Sequence, residues 1–558
     1  MSINSLIIEN KTKDNNFFFK VLLSLLCLIF LRILLEAFSN PAIRNIGMNP
    51  LTLLSFTTFY IAVFLSTIYV YKRFTGLPIK QITTFSLVSF SVILIPPVWD
   101  LIFTGGYCLA YTMDTAVNLI KIFFTMGSHA PGCGISWGMR VAVIITLVLS
   151  FLFIRRHTKH RYKTLVALLG SIVMYSVILF QGAWLSIIGT LYEYIQNLTP
   201  NTGASWLLLT SLKTSFFATH HGFTLTDIWN SKQGESFSLF MMRLHILSIF
   251  VVGWFIIKNS FQNIYTWFSK ILPWKRIFMF IFFSVIGMVL ADKLIFTKII
   301  INPINISGFI ILCLAFVFHG ITAIIVNDVS DYELDTIAHP ERPLPSGLIS
   351  PEDYKTIGTT SFVLGVLSTI SLNYTVTIFL IAIQCFYYLY AVEPFRLKKH
   401  WIFGLFVYLG IGMSVLAVGY FFAAKSQVLI HAPWKIFTII AAVFSITAFQ
   451  KDIPDAFADK QFNILSIPVF LGEKLSLIIS VIITPTLFGY LAYFFHSWLL
   501  GMITSIFTLS IVAYSFNYLS KNIQSRLKNE QLRHFVNIYI IGMSVFFLGL
   551  ILVIIFRI

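Results

Sequence analysis

Long apolar segments separated by short polar ones recur along the whole chain. Most of them have the length that a helix needs to cross the ~30 Å hydrocarbon layer of a bilayer. The segments lie at residues 17–38, 51–71, 82–103, 138–154, 164–186, 237–257, 277–297, 305–326, 354–371, 374–391, 401–424, 433–450, 475–495, 498–517 and 534–556. We therefore predict an all-α polytopic membrane protein with about fifteen transmembrane helices.

The composition agrees with this pattern. Of 558 residues, 57% are hydrophobic and 11% are charged, whereas a soluble domain carries about 25% charged residues. The short alternating segments typical of a transmembrane β-barrel do not dominate the chain. Five scattered cysteines without a CxxC pair predict neither a disulfide nor a cysteine metal site.

The net charge of +17 is assigned to membrane topology, so the lipid bilayer is the expected partner and nucleic acid is not. With the N-terminus in the cytoplasm, every basic cluster falls on the cytoplasmic side, as in most membrane proteins. Residues 107–126 then have to be re-entrant or interfacial, and 187–236 form a long extracytoplasmic loop. We expect a multi-pass protein of the cell inner membrane.

The chain divides into two predicted membrane domains. Residues 1–257 form an N-terminal domain of about six spans, to which no function is assigned. Residues 258–276 are a basic cytoplasmic linker that contains Pro273. Residues 277–558 form a second domain of about nine spans.

Two acidic clusters of identical spacing lie in the second domain. Both have the pattern D-x-x-D-x-x-x-D, and seven of the 22 acidic residues of the chain fall in the 18 positions 327–335 and 451–459. The six aspartates are Asp328, Asp331, Asp335, Asp452, Asp455 and Asp459.

The spacing predicts a shared metal site. Positions i, i+3 and i+7 lie on one face of a helix, where three carboxylates repel each other unless cations neutralise them. Carboxylate oxygens suit Mg²⁺, which commonly binds through carboxylates together with substrate phosphates. Both clusters follow the cytoplasmic end of a predicted span, so they can oppose each other and hold a diphosphate between them. The alternative is that both clusters are solvated acidic loops. For a single cluster this alternative would stay open, whereas two clusters of identical spacing disfavour it.

The surrounding residues resemble the UbiA superfamily of intramembrane prenyltransferases over about 277–558. The first stretch reads NDVSDYELDTIAHPERPLPSG from Asn327, similar to the family pattern N-D-x-x-D-x-x-x-D followed by R-P-[IL]-P-S-G. The second reads KDIPDAFAD from Lys451, and a stretch between them, YAVEPFRLK from Tyr390, resembles the family loop Y-S-x-P-P-x-R-L-K. Departures are Glu393 for Pro, Ala458 for Gly and Ser466 for Thr.

The resemblance implies a nine-helix prenyltransferase bundle. It also implies Mg²⁺-dependent transfer from an allylic prenyl diphosphate to a hydrophobic acceptor, which is aromatic, a quinone precursor, a tetrapyrrole or a polar lipid. The six aspartates are the expected catalytic metal ligands, and whether one of them serves as a base stays open. Candidate substrate-binding residues are Asn327, Arg342, Lys451, Arg396, Lys398 and Tyr390, with Tyr387 and Tyr388 as further candidates.

Alternatives accompany these roles. Arg396 and Lys398 are also suited to anchor a cytoplasmic loop, and the tyrosines are also typical of a membrane interface. The competing function is a transporter that binds coupling cations with its acidic residues. Transporters usually place such sites near the bilayer midplane, whereas these acids lie at the predicted cytoplasmic rim, which favours the enzyme.

Overall fold

The computed structural model of the protein describes residues 17–39, 50–104, 110–111, 123–124, 136–182, 223–224, 232–301, 303–424, 426–520 and 525–556. The chain forms two compact units. One comprises Met1–Tyr265 and Ile300–Ile311, and the other comprises Thr266–Ile299 and Leu312–Ile558. The predicted segments 107–126 and 187–236 lie mostly outside the described residues. The predicted boundary at residue 257 remains a prediction.

The helices up to residue 266 are mostly long and apolar. They are α1 Phe17–Ser39, α2 Pro50–Thr75, α3 Ile79–Phe90, α4 Ile95–Thr104, α5 Trp137–His157, α6 Lys163–Gly182, α7 Lys232–Ser260 and α8 Gln262–Thr266, with a 3₁₀ turn at Ser91–Leu94. The two-residue strands β1 Ala110–Tyr111 and β2 Phe223–Thr224 pair antiparallel.

Aromatic and aliphatic side chains fill the core of this first unit. Phe64, Tyr71 and Phe153 are buried in one continuous cluster. Asp100 is also buried in this unit, and its carboxylate accepts the backbone N–H of Gly138 at 3.0 Å. Such pairing is what a polar group needs where no water reaches it.

The remaining helices carry the acidic motifs. They are α9 Trp274–Ala291, α10 Ile295–Ile301, α11 Pro303–Ser330, α12 Tyr332–Ala338, α13 Pro351–Ile370, α14 Tyr374–Ala391, α15 Trp401–Ala423, α16 Trp434–Thr447, α17 Ala456–Gln461, α18 Ile467–Leu471, α19 Glu473–Phe494, α20 Trp498–Ser520 and α21 Ser525–Phe556. Short 3₁₀ segments lie at Leu397–Lys399, Leu429–His431 and Ala448–Asp455, and a π-helical turn lies at Trp267–Ile271.

The all-helical membrane architecture predicted from the sequence is confirmed. Within the described residues, 13 helices are long and apolar enough to cross a membrane. Two further predicted spans, 164–186 and 354–371, coincide with α6 and α13, which include residues 164–182 and 354–370 of them. α6 contains a shorter apolar segment, Lys163–Leu179.

Glycines allow α9 and α15 to approach each other closely. A Cβ atom on Gly419 would lie 1.7 Å from the backbone oxygen of Ser284, and one on Gly287 would lie 2.0 Å from that of Leu416. Both distances are far below van der Waals contact, so only glycine fits at these two positions. Small residues serve the same purpose at many membrane helix interfaces.

Both acidic motifs lie where helices change direction. α11 ends at Ser330 and α12 begins at Tyr332, so Asp331 is the joint between them. The second motif follows α16 as a 3₁₀ segment containing Pro454, and continues into α17. The sequence predicted one helical face for each triad. Helical hydrogen bonds do continue through the first motif, whereas the second triad is divided between the 3₁₀ segment and α17.

The predicted linker 258–276 is mostly helical. α7 continues to Ser260, and α8 and the π-helical turn follow it. Trp267 is buried and packs edge-on against Tyr354 of α13, with ring centroids 5.3 Å apart. The second half of the predicted linker is therefore part of the second compact unit.

Candidate active site

One cavity in the second unit collects the acidic motifs and most of the predicted basic residues. Its volume is about 650 Å³. All six motif aspartates line it, together with Asn327, Arg342, Tyr387, Tyr390, Lys398 and Lys451. Apolar side chains such as Phe316, Leu380 and Val415 line other parts of its wall. The cavity is therefore amphipathic, as a prenyl diphosphate is.

The first motif is held by an arginine in the loop that follows it. Arg342 Nη1 lies 2.5 Å from Asp335 Oδ2 and 3.2 Å from Asp328 Oδ1. The other Asp328 oxygen accepts a 2.8 Å hydrogen bond from the hydroxyl of Tyr354. Asp331 N–H and Asp335 N–H donate to the carbonyls four residues before them, at 2.9 and 2.8 Å, so the helical path continues through the joint. Gly347, with φ of +69°, lies in the turn that follows Arg342 and precedes α13.

The loop between α14 and α15 contributes two more cations. Lys398 Nζ donates to both carboxylate oxygens of Asp331, and Arg396 Nη2 lies 3.1 Å from Asp331 Oδ1. Arg396 has φ of +32°, a left-handed conformation that costs a non-glycine residue roughly 1–2 kcal/mol. The departure Glu393 lies outside the cavity lining, where it pairs with Lys399 at 2.8 Å.

The second motif has its own lysine. Lys451 Nζ lies 2.7 Å from Asp452 Oδ1 and 5.0 Å from the ring centre of Tyr408. The Tyr408 hydroxyl donates to that of Tyr390 at 3.2 Å. In the described part of the chain, Asp459 is the motif aspartate without a basic side chain within 4 Å.

A small apolar cluster joins the two motif helices. Leu334 of α12 packs with Ala458 of α17 and with Ile464, and Phe462 covers them. Ala458 is one of the departures from the family pattern, and its methyl group is part of this contact. These contacts bring α12 and α17 together although the two motifs are far apart in the sequence.

A histidine bridges the two motifs at the cavity wall. His339 Nε2 lies 3.3 Å from Asp455 Oδ1, and Arg533 Nη2 of α21 lies 3.3 Å from His339 Nδ1. Glu341 Oε1 is 3.4 Å from the same Nδ1. The loop after the first motif, the second motif and α21 thus meet at one imidazole.

Burial favours the uncharged forms of two side chains that line the cavity. Burial raises the pKa of Asp335 to about 6, although the Arg342 guanidinium pulls it down. Burial also lowers the pKa of Lys398, against the opposing effect of Asp331. Charged groups in such surroundings interact more strongly than in water.

The donor set fits a hard divalent cation. Asp335 Oδ1 is buried and, among the described residues, accepts no hydrogen bond. Carboxylate oxygens are the ligands that Mg²⁺ prefers. In the described ranges no three His, Cys, Asp or Glu side chains converge into a ready ligand group, and five of the six motif carboxylates have an Arg, Lys or His side chain within 4 Å.

The C-terminal half of the chain is similar to known proteins. The model of the UbiA prenyltransferase family matches residues 280–541. A digeranylgeranylglyceryl phosphate synthase of Sulfurisphaera tokodaii is 30% identical over 264 residues, which cover 46% of this chain and 84% of that protein.

The chain belongs to the UbiA prenyltransferase family.

It is therefore a membrane prenyltransferase. Other UbiA relatives include a digeranylgeranylglyceryl phosphate synthase of Sulfolobus acidocaldarius, 31% identical over 229 residues that cover 40% of this chain and 79% of the relative. A 2-acylphloroglucinol 4-prenyltransferase of Humulus lupulus is 27% identical, over 27% of this chain and 38% of the plant protein. A solved UbiA homologue of Archaeoglobus fulgidus, bound to DMAPP and Mg²⁺, aligns over 51% of this chain and 97% of its own, with a TM-score of 0.35 and 16% identity.

The structure brings most of the predicted UbiA site residues together. Arg396 does not line the cavity, but it reaches Asp331. Tyr388 is 51% exposed and lies outside the lining, whereas Tyr387 and Tyr390 line the cavity.

Several residues of this UbiA site were not predicted. Tyr354 contacts Asp328, and His339 contacts Asp455. Arg276 and Arg533 line the cavity, although the sequence assigned both to the basic clusters that fix topology. The position of His339 shortly after the first motif was the one sequence signal for a site role, and no sequence pattern indicated such a role for Tyr354.

Proposed function

We propose that this UbiA protein transfers a prenyl group from an allylic prenyl diphosphate to a hydrophobic acceptor at the cytoplasmic side of the cell inner membrane. The acceptor is aromatic, a quinone precursor, a tetrapyrrole or a polar lipid. The observation that supports this most is the convergence of two carboxylate triads and three basic residues, Arg342, Lys398 and Lys451, on one cavity with apolar walls.

The proposed metal site uses both triads. Asp328, Asp331 and Asp335 would hold Mg²⁺ from one side, and Asp452, Asp455 and Asp459 from the other. Bound Mg²⁺ supplies neutralising charge to the diphosphate as it leaves.

The basic residues act on the same leaving group. Arg342 and Lys451 already lie next to acidic residues of the two motifs, at 2.5 and 2.7 Å. They are placed to offset the negative charge that develops on the diphosphate when its bond to the allylic carbon breaks. Asn327 adds a polar side chain to the lining of the same cavity.

The aromatic residues act on the other fragment. Tyr387 and Tyr390 line the cavity, and the faces of aromatic rings attract positive charge such as that which develops on the allylic carbon. The acceptor then forms a bond to that carbon and gives up a proton. The apolar wall accommodates the prenyl tail.

The domain assignment is part of the proposal. Residues 277–558 are proposed as the catalytic domain and 1–257 as a separate membrane module fused to it. The family match at residues 280–541 supports the first assignment.

The test uses purified full-length protein, radiolabelled geranylgeranyl diphosphate and a panel of the four acceptor classes. We expect a labelled prenyl product with one class, its loss in EDTA and its return with added Mg²⁺. Undiminished product in metal-free buffer would contradict the metal assignment. Absence of product and of donor binding under every condition would contradict the function.

A further inference from the structure

Asp331 is the most heavily neutralised carboxylate of the first motif. Its two oxygens accept from Lys398 Nζ, and Arg396 Nη2 lies 3.1 Å from one of them. The side chains of Asp331 and Lys398 are only 7% and 8% exposed. Two cations thus contact one buried carboxylate, although Arg396 Nη1 also lies 3.4 Å from the exposed Glu393 Oε1.

These contacts use the oxygens that a metal ion needs. A divalent cation binds a carboxylate through the same oxygen atoms that an ammonium group contacts. Lys398 and a metal ion therefore compete for Asp331, and their mutual repulsion strengthens the competition.

The same ammonium group suits a diphosphate. Lys398 lines the cavity, whereas its neighbour Lys399 does not. A lysine carries a compact charge on a flexible four-carbon stem, so Nζ can leave Asp331 for a nearby phosphate oxygen without a change of backbone.

We propose that Lys398 competes with Mg²⁺ for Asp331 and moves to the diphosphate of the donor, so that Mg²⁺ and the donor bind cooperatively. This inference rests on the proposed function and adds the order of events at its site. Each ligand removes an obstacle to the other, and thermodynamic linkage makes the effect reciprocal.

The experiment compares the wild type with Lys398→Met by calorimetry on full-length protein in nanodiscs. Mg²⁺ is titrated alone, and then in the presence of geranylgeranyl thiolodiphosphate, an unreactive donor analogue. For Lys398→Met we expect Mg²⁺ alone to bind about tenfold more tightly and the analogue, at saturating Mg²⁺, about tenfold more weakly, since typical coupling between sites has this size. The wild type should show a larger mutual enhancement than the variant.

Two variants serve as controls. Lys399→Met removes the same charge from the same loop, but Lys399 pairs with the exposed Glu393, so both affinities should stay at the wild-type value. Lys398→Arg keeps the charge next to Asp331, so the affinity for Mg²⁺ alone should not rise.

Because Lys398→Met should bind Mg²⁺ more tightly and the analogue more weakly, the two titrations test the two parts of the proposal separately. An unchanged or weakened affinity of Lys398→Met for Mg²⁺ alone overturns the competition. Tighter Mg²⁺ binding with unchanged binding of the analogue overturns the movement of Lys398 to the diphosphate. If the wild type binds no analogue at all, the proposed function fails, while the titration with Mg²⁺ alone still tests the competition.

Discussion

His339 connects the two acidic motifs through a single ring. An ionised carboxylate only accepts hydrogen bonds, so His339 Nε2 carries a proton and donates it to Asp455, while Nδ1 lies close to both Arg533 Nη2 and Glu341 Oε1. The contact fixes the orientation of one carboxylate of the second motif. His339 is therefore a positioning residue in our account.

We predict that His339→Ala lowers turnover about tenfold, because one hydrogen bond to a charged group is lost. The Mg²⁺ concentration for half-maximal turnover should rise, and the KM for the donor should change little. His339→Gln keeps an N–H donor and should recover most of the activity. Wild-type turnover and Mg²⁺ dependence in a well-folded His339→Ala protein would show that the contact does not position Asp455.

The sequence could not predict which basic side chain pairs with which motif aspartate. Arg342 contacts Asp335, which is close to it in the sequence, but Lys398 contacts Asp331 across a separation of 67 positions. Spacing identifies carboxylates that must be neutralised, because their repulsion is a property of the motif. Choosing among the many basic residues of a chain with net charge +17 requires the packing of α14 and α15.

At the scale of elements, the length of the apolar runs predicted the long helices well, since a membrane leaves the backbone little alternative to a helix. The breaks were harder to predict. Asp331 separates α11 from α12, and the second motif begins as a 3₁₀ segment. Pro454 is a sequence signal for the second break, whereas no residue of the first motif signals the break at Asp331.

The packing of α9 on α15 provides a prediction at this scale. Gly419→Ala should lower the free energy of unfolding by about 2 kcal/mol, since the added methyl group meets backbone and over-packing typically costs 1–3 kcal/mol. Gly489→Ala is the matched control, because no atom lies within 4 Å of the added Cβ. Thermal unfolding in detergent measures both. Equal midpoints for Gly419→Ala and the wild type would mean that the helices separate without cost.

At the scale of the whole molecule, the central expectation was that two motifs 124 residues apart meet. Repetition of the same spacing made this prediction, and the shared cavity agrees with it. The membrane orientation rests on the distribution of basic residues and stays a prediction.

A topology measurement tests that orientation. A reporter inserted beside His160, in the loop between α5 and α6, and one beside Lys399 should both report the cytoplasm. One beside Ile430, in the loop between α15 and α16, should report the opposite side, because one helix separates it from Lys399. A cytoplasmic signal at Ile430 or an external signal at His160 would require a different set of spans.

The most direct test of the central claim is a double-mutant cycle across the cavity. Prenyl transfer and Mg²⁺-dependent binding of the donor analogue are measured for the wild type, Asp331→Ala, Asp455→Ala and the double variant. If both motifs hold one diphosphate, each single variant should lose on the order of 10²–10⁴ in rate. The double variant should be little worse than either, because groups that act as one unit are not additive. Near-normal turnover in one well-folded single variant, or a double variant whose loss is the product of the two single losses, would contradict the account.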